Sequence, residues 1–191
     1  MKDDIIYSQT TRIVGEKNNV DGFKLGIKRL ENSKFNYGNL NFFEIQELLD
    51  KDNYGEIFDD LVDFLNNSAI TFNIAHAPIH YPFFFNTYYT RADIGILKDR
   101  ILKAIDISKR VGVKKIVIHV GTYLDENYDY NIEKSIEHNI KYLAPFVEKA
   151  VENNILVAIE NGTQMQKDEP RFKNTAPYID ELIKTGVRKI A

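Results

Sequence analysis

Short apolar segments alternate with longer amphipathic segments along the chain. Runs of apolar and β-branched residues predict five strands, over 3–11, 39–45, 69–76, 113–121 and 155–162. Between them, apolar residues recur every three or four positions, which predicts helices over 21–33, 54–68, 93–112 and 130–154. A last helix and the start of a sixth strand are predicted over 175–186 and 187–191. The alternation of strand and helix is typical of an α/β fold with a parallel sheet.

Glycine and proline mark several boundaries within this pattern. Gly112 and Gly186 are expected to end helices, because glycine readily adopts the C-cap conformation. Pro145 lies inside the long helix and is expected to kink or divide it. Segment 77–89 contains prolines and many aromatic residues and is predicted to be a loop. Since no linker or low-complexity stretch interrupts the pattern, residues 1–191 are predicted to form a single domain.

Composition argues against some classes of protein but does not identify a function. The chain has 43% hydrophobic and 28% charged residues, a net charge of −3 and no cysteine. No apolar run approaches the roughly 20 residues that span a bilayer, and the first residues, MKDDIIYSQT, do not have the pattern of a signal peptide. We therefore expect a cytoplasmic protein without a membrane partner. The absence of a basic run gives no support for nucleic-acid binding.

Four predicted strands end in a residue that can bind a metal or move a proton. These residues are Glu44, His76, His119 and Glu160, separated from one another by about one βα unit. The carboxyl ends of consecutive parallel strands lie on the same side of the sheet, which holds the active site in α/β barrels. Three converging residues of this set would supply the nitrogen and oxygen ligands that Zn, Mn, Co or Fe accept.

Each residue also has a purely structural interpretation. His76 or His119, taken alone, could equally be a core histidine with a hydrogen-bond partner, and Glu44 could simply reach solvent. Glu160 is less easily dismissed, because glutamate is almost never buried without a partner. His138 is expected on the solvated face of its helix. The coincidence of three strand-end candidates favours a common site.

Three motifs extend this pattern to a resemblance. The segments AHAP at 75–78, GVKKIVIHVG at 112–121 and NNILVAIENG at 153–162 resemble the xylose isomerase-like (β/α)₈ barrels, over roughly residues 69–162. That superfamily contains sugar and sugar-phosphate isomerases and epimerases, together with endonuclease IV-type DNA repair enzymes. The ordered pair of H-x-G on one strand and E-N-G on the next carries most of the specificity.

The resemblance implies roles for individual residues. Glu160 matches a glutamate that binds a divalent metal, Mn, Mg, Co or Zn, and that serves as the acid-base group in the epimerases. His119 and His76 match histidines that bind metal in the endonuclease IV type and line the substrate pocket in the isomerases. Asn161 would support Glu160. The remaining candidates for substrate binding are His80, Tyr81, Phe83 and Glu44.

The family's pattern continues with further ligands on strands six, seven and eight, whereas this sequence ends at Ala191, at the start of the sixth predicted strand. Five strands and part of a sixth do not close an eight-stranded barrel. We therefore expect TIM-barrel-type βα repeats in an incomplete, truncated barrel. The sequence leaves open whether these 191 residues retain the metal and act as an enzyme.

Three functions follow as hypotheses. The favoured one is a metal-dependent isomerase or epimerase that moves a proton next to the carbonyl of a small-molecule sugar or sugar phosphate, via an enediolate. The second is an endonuclease IV-like, Zn-dependent phosphodiesterase acting on abasic DNA, although segment 81–89 is apolar and contains no basic residue. The third is a non-catalytic barrel fragment that forms a homo-oligomer through an open sheet edge.

Overall fold

The computed structural model describes residues 8–10, 17–79, 85, 91–125 and 131–160. In these ranges the strands are β1 (Ser8–Thr10), β2 (Tyr37–Asn41), β3 (Thr71–His76), β4 (Lys115–His119) and β5 (Leu156–Glu160). The helices are α1 (Val20–Glu31), α2 (Tyr54–Asn66), α3 (Arg91–Val111) and α4 (Ile132–Glu152). Two short 3₁₀ helices, Phe42–Glu44 and Gln46–Asp50, lie between β2 and α2.

The five strands form one parallel sheet in the order β1-β2-β3-β4-β5. Each strand therefore pairs with the next one along the chain, which is the connection of βα repeats wound in a single direction, as in a TIM barrel. The predicted α/β fold is confirmed. Within the described ranges, no helix is both long and apolar enough to cross a membrane.

The two faces of the sheet differ in burial because successive strand side chains point to opposite sides. One face packs into the same hydrophobic core as the four helices, and its residues are at most 9% exposed; they include Leu40, Ala75, Ile116, Ile118, Val157 and Ile159. The alternate positions face away from the helices. Near the carboxyl ends of the strands they line a cavity, and they include Asn39, Asn41, His76, His119 and Glu160.

Local signals account for the helix boundaries. The Asn19 side chain caps α1 by accepting a hydrogen bond from the Gly22 N–H at 2.9 Å. Helix α3 ends at Val111, and Gly112 follows with φ +84°, a left-handed conformation that suits glycine. The predicted role of Gly112 as a helix end is confirmed. The buried stripe of α2 consists of Phe58, Leu61, Val62 and Leu65.

One predicted strand end is wrong, and one of the two effects predicted for Pro145, division of its helix, does not occur. Strand β2 ends at Asn41 rather than at residue 45, because the Asn41 side chain accepts a hydrogen bond from the Phe43 N–H at 3.1 Å and begins a 3₁₀ turn. Pro145 does not divide its helix, since α4 runs unbroken from Ile132 to Glu152. The proline removes one backbone donor, and the buried Leu143 and Phe146 on either side hold the helix against the core.

The remaining predicted elements lie outside the described residues. They are the helix over 175–186, the strand over 187–191 and most of segment 3–11.

The close pairing of β2 with β3 generates a stability prediction. A Cβ added at Gly38 would lie 2.6 Å from Cε1 of Phe72 and 3.0 Å from Cγ2 of Ile70. Because these contacts are too short, Gly38→Ala should lower the free energy of unfolding by about 1–3 kcal/mol, measured by urea denaturation. The control is Gly95→Ala on α3, where nothing lies within 4 Å of the added carbon. The free energy of unfolding of this control should rise by about 0.5–1 kcal/mol. A Gly38→Ala variant as stable as the wild type would contradict the packing described for this strand pair.

Candidate metal centre

Three neighbouring strands end in residues whose side chains meet. β3, β4 and β5 end at His76, His119 and Glu160, respectively. The Nε2 atoms of the two histidines are 3.0 Å apart. Oε2 of Glu160 lies 3.3 Å from Nε2 of His76 and 3.2 Å from Nε2 of His119. The strand ends therefore bring together two imidazole nitrogens and one carboxylate oxygen, as their common edge of the sheet predicts.

The register of the sheet explains this convergence. His119 pairs directly with Glu160 across β4 and β5, whereas His76 pairs with Val117, two positions before His119. A step of two residues along a strand returns to the same face. All three side chains therefore point to the side of the sheet away from the helices.

The protonation of the histidines favours electron-pair donation into the cluster. Nδ1 of His76 lies 3.0 Å from the Ala77 carbonyl oxygen, so it carries a proton and donates to that carbonyl, and Nε2 faces the cluster. Burial lowers the pKa of His119, an effect larger than the opposing attraction to Glu160, and repulsion from His76 lowers it further. His119 is therefore held neutral near pH 7.

This donor set fits a divalent metal ion. Zn–N and Zn–O bonds of about 2.0–2.1 Å place neighbouring ligand atoms of a tetrahedral site about 3.3 Å apart, and the three distances here are 3.0, 3.2 and 3.3 Å. Two nitrogens and one oxygen are ligands that Zn, Mn and Co accept. The Ala77 carbonyl holds the His76 ring in the manner usual for metal-binding histidines, which donate their second N–H to a backbone carbonyl or a carboxylate.

The cluster lies in a cavity of about 280 Å³. The side chains of His76 and His119 are 18% and 19% exposed, and that of Glu160 is 43% exposed, so all three can be reached from solvent. The described residues that line the cavity include no lysine or arginine; they are Asn39, Asn41, Phe43, His76, Ile79, His119 and Glu160.

Other predicted site residues lie elsewhere or cannot be placed. Glu44 is not at a strand end and does not line the cavity; it lies in the 3₁₀ turn after β2 and is 4% exposed, so it does not reach solvent either. The early end of β2 at Asn41 accounts for this difference. His80, Tyr81, Phe83 and Asn161 lie outside the described residues.

Phe85 and His138 lie on a different surface from the cavity of the strand ends. Phe85, from the predicted aromatic loop, packs against His138 and Tyr142 with ring centroids 5.4 and 5.8 Å apart, outside the cavity of the strand ends. The sequence predicts a solvated His138; in the structure it is half-buried between Phe85 and Tyr123 and donates from Nδ1 to the Lys134 carbonyl at 2.8 Å. His138 does not belong to the group formed by His76, His119 and Glu160.

Sequence reasoning missed the part of the cavity contributed by β2. Asn39 and Asn41 flank the buried Leu40, so the amides occupy one face of the strand and the leucine the other. This polar-apolar-polar alternation was readable in the sequence. The sequence does not show what holds the loop after His76 in place. This loop is held by the distant Gln46, whose Oε1 accepts a hydrogen bond from the Ile79 N–H at 3.0 Å.

Comparison with known proteins finds similarity in structure alone. No protein-family model matches the sequence, and no curated protein matches it. Among solved structures, a D-tagatose 3-epimerase-like protein superimposes with a TM-score of 0.68 at 12% identity, covering 98% of this chain and 63% of that protein. The IolI protein with a binding zinc atom gives a TM-score of 0.64 at 15% identity, covering 98% of this chain and 61% of that protein.

A family 2 AP endonuclease from Brucella melitensis is similar to a comparable degree. Its TM-score is 0.63 at 12% identity, and the match covers 97% of this chain and 66% of that protein. The chain thus spans about three fifths to two thirds of the length of the structures it matches. These neighbours are xylose isomerase-like TIM-barrel proteins, so the resemblance inferred from the motifs is confirmed for the fold: the chain has the fold of part of such a barrel.

Proposed function

We propose that this chain contributes the His76, His119 and Glu160 ligands of a divalent-metal site in a sugar isomerase or epimerase. The observation that carries the proposal is the convergence of three electron-pair donors at 3.0–3.3 Å from one another, the spacing of ligands around a shared ion. The solved neighbours include a D-tagatose 3-epimerase-like protein and a D-allulose 3-epimerase in complex with D-allulose, which supports the sugar chemistry.

A bound divalent metal would act as a Lewis acid and stabilise negative charge that develops on a substrate carbonyl oxygen. The histidines would hold the ion through Nε2, because Nδ1 of His76 is engaged with Ala77 and the lowered pKa of His119 keeps its imidazole neutral.

Glu160 has a second oxygen available for proton transfer. Among the described residues only its Oε2 has partners, the two histidine nitrogens. Its carboxylate can therefore bind the ion through Oε2 and take up or return a proton at the carbon next to the carbonyl through Oε1. The side chain is 43% exposed, so a substrate can approach it.

The lining of the cavity favours a neutral sugar over a nucleic acid. Asn39 and Asn41 bring amides to the lining that can exchange hydrogen bonds with hydroxyl groups, and Phe43 adds an aromatic ring whose centroid lies 3.9 Å from Nζ of Lys17. The alternative function, a phosphodiesterase on abasic DNA, is favoured by the likeness to the AP endonuclease and by a glutamate that contacts both histidines. It requires several cationic groups near the phosphates; the described lining of the cavity contains no lysine or arginine, and Lys17, over the Phe43 ring, supplies one positive charge beside it.

Metal binding is the first testable consequence. Isothermal titration of the metal-free protein with Zn²⁺ and Mn²⁺ should give a saturable site, and His76→Ala or His119→Ala should weaken the affinity at least about 100-fold because a ligand is lost. His138→Ala is the matched control, since this histidine lies outside the cluster. Equal affinities in all variants would rule out the site. One ion per chain supports the isomerase-type function, whereas several Zn ions per chain favour the phosphodiesterase.

Proton transfer is the second consequence. Glu160→Gln, assayed with saturating metal, should slow deuterium incorporation from D₂O next to the carbonyl of ketohexoses by about 10²–10⁴-fold, the usual contribution of an acid-base group. Deuterium incorporation is followed by NMR with a panel of ketoses that includes D-tagatose and D-allulose. Glu152→Gln, at the exposed end of α4, should leave the rate unchanged. A Glu160→Gln protein with wild-type exchange would remove Glu160 from the mechanism.

A further inference from the structure

Helix α4 has two polar residues on its core-facing side. Ser135 and Asn139 are both 0% exposed and lie one helical turn apart, in line with the buried Leu143 and Phe146. Neither residue lines the cavity of the metal cluster. A buried amide is costly unless its hydrogen bonds are made, so the partners of Asn139 indicate what it does.

Asn139 makes three hydrogen bonds, two of them to a single residue of the loop after β4. Its Oδ1 accepts from the Gly121 N–H at 2.8 Å, and its Nδ2 donates to the Gly121 carbonyl at 2.6 Å. The second Nδ2 hydrogen goes to the Ser135 carbonyl at 2.7 Å. The side chain thus pairs with both backbone groups of Gly121 as a neighbouring strand would.

This pairing occurs where the pairing of β4 with its neighbours stops. The last residue of β4 is His119, and Gly121 follows two positions later. Ser135 continues the attachment, because its Oγ accepts from the Tyr123 N–H at 2.9 Å and donates to the Asn131 carbonyl at 2.6 Å. The chain leaving His119 is therefore fixed to α4 at two successive points.

We propose that Asn139 is a positioning residue that sets the place of His119 within the ligand set of the metal site; this inference rests on the proposed function. By holding both backbone groups of Gly121, Asn139 fixes the direction in which the chain leaves β4 and therefore the orientation of the His119 imidazole. Residues that orient metal ligands typically change metal affinity by 10–100-fold when they are replaced.

The test compares variants that alter this attachment with variants that do not. Asn139→Ala removes all three hydrogen bonds, and Asn139→Ser removes the two to Gly121 while its hydroxyl can still donate to the Ser135 carbonyl four residues earlier, which provides a second, uncharged variant if the alanine protein is unstable. Asn153→Ala is the matched control: this asparagine is at the other end of α4 and also donates to the carbonyl four residues earlier, at 2.9 Å. Leu65→Ala, in the core of α2, controls for a general loss of stability.

Zn²⁺ affinity is measured by competition with a chromophoric chelator. Both Asn139 variants should bind Zn²⁺ at least about tenfold more weakly than the wild type, with Asn153→Ala and Leu65→Ala within twofold of it. Unchanged affinity in the Asn139 variants, or an equal loss in Leu65→Ala, would overturn the positioning role.

A measurement without metal separates this inference from the proposed function. In the metal-free protein, Asn139→Ala and Asn139→Ser should shift the ¹H–¹⁵N imidazole signals of His119 and speed amide exchange at Gly121, while Asn153→Ala should do neither. If the wild type fails to bind Zn²⁺, the proposed function fails, but these two signals still decide whether Asn139 positions His119. Unaltered His119 signals in both Asn139 variants would overturn the inference.

Discussion

The parallel register of β3, β4 and β5 is the constraint on which the rest of the site depends. Direct pairing of His119 with Glu160, and of His76 with a residue two positions before His119, places all three side chains on one face at one edge. Because strand side chains alternate with a period of two, a slip of one residue would send a histidine into the helix-facing core. The apolar residues between these side chains prevent that slip, since they are buried only in the observed register.

The strand ends at His76, His119 and Glu160 could be predicted from the sequence because each closes an apolar run with a polar residue. The end of β2 could not, because Phe42 and Phe43 continue the apolar pattern, and only the hydrogen bond that the Asn41 side chain accepts from the Phe43 N–H shows where the strand stops. The role proposed for Asn139 could not be predicted from the sequence either. Its partner Gly121 is 18 positions earlier, and the two residues meet only because α4 packs on the sheet. Local sequence patterns thus predict strand ends, whereas contacts between distant segments can be identified only once the fold is known.

Holding three electron-pair donors close together is unfavourable unless a cation or a proton lies among them. The fold opposes their separation from several directions: the Ala77 carbonyl orients the ring of His76, the Gln46 side chain holds the loop that follows it, and α4 holds the loop after His119. These supports are hydrogen bonds of buried or half-buried groups, with which water competes less than it does at an exposed site. The three side chains are therefore held in place by their surroundings rather than by one another.

Because the two faces of the sheet differ in burial, substitutions on one face have different effects from substitutions on the other. The helix-facing residues, such as Ile116 and Ile118, are almost fully buried, so replacing them alters stability. Their neighbours Val117 and His119 point to the other side and remain half-exposed. Alternate positions of the same strand can therefore change independently: one set determines how stably the sheet packs, and the other determines what the cavity presents. The lining of the cavity can vary while the scaffold persists, which is how one fold comes to serve unrelated functions.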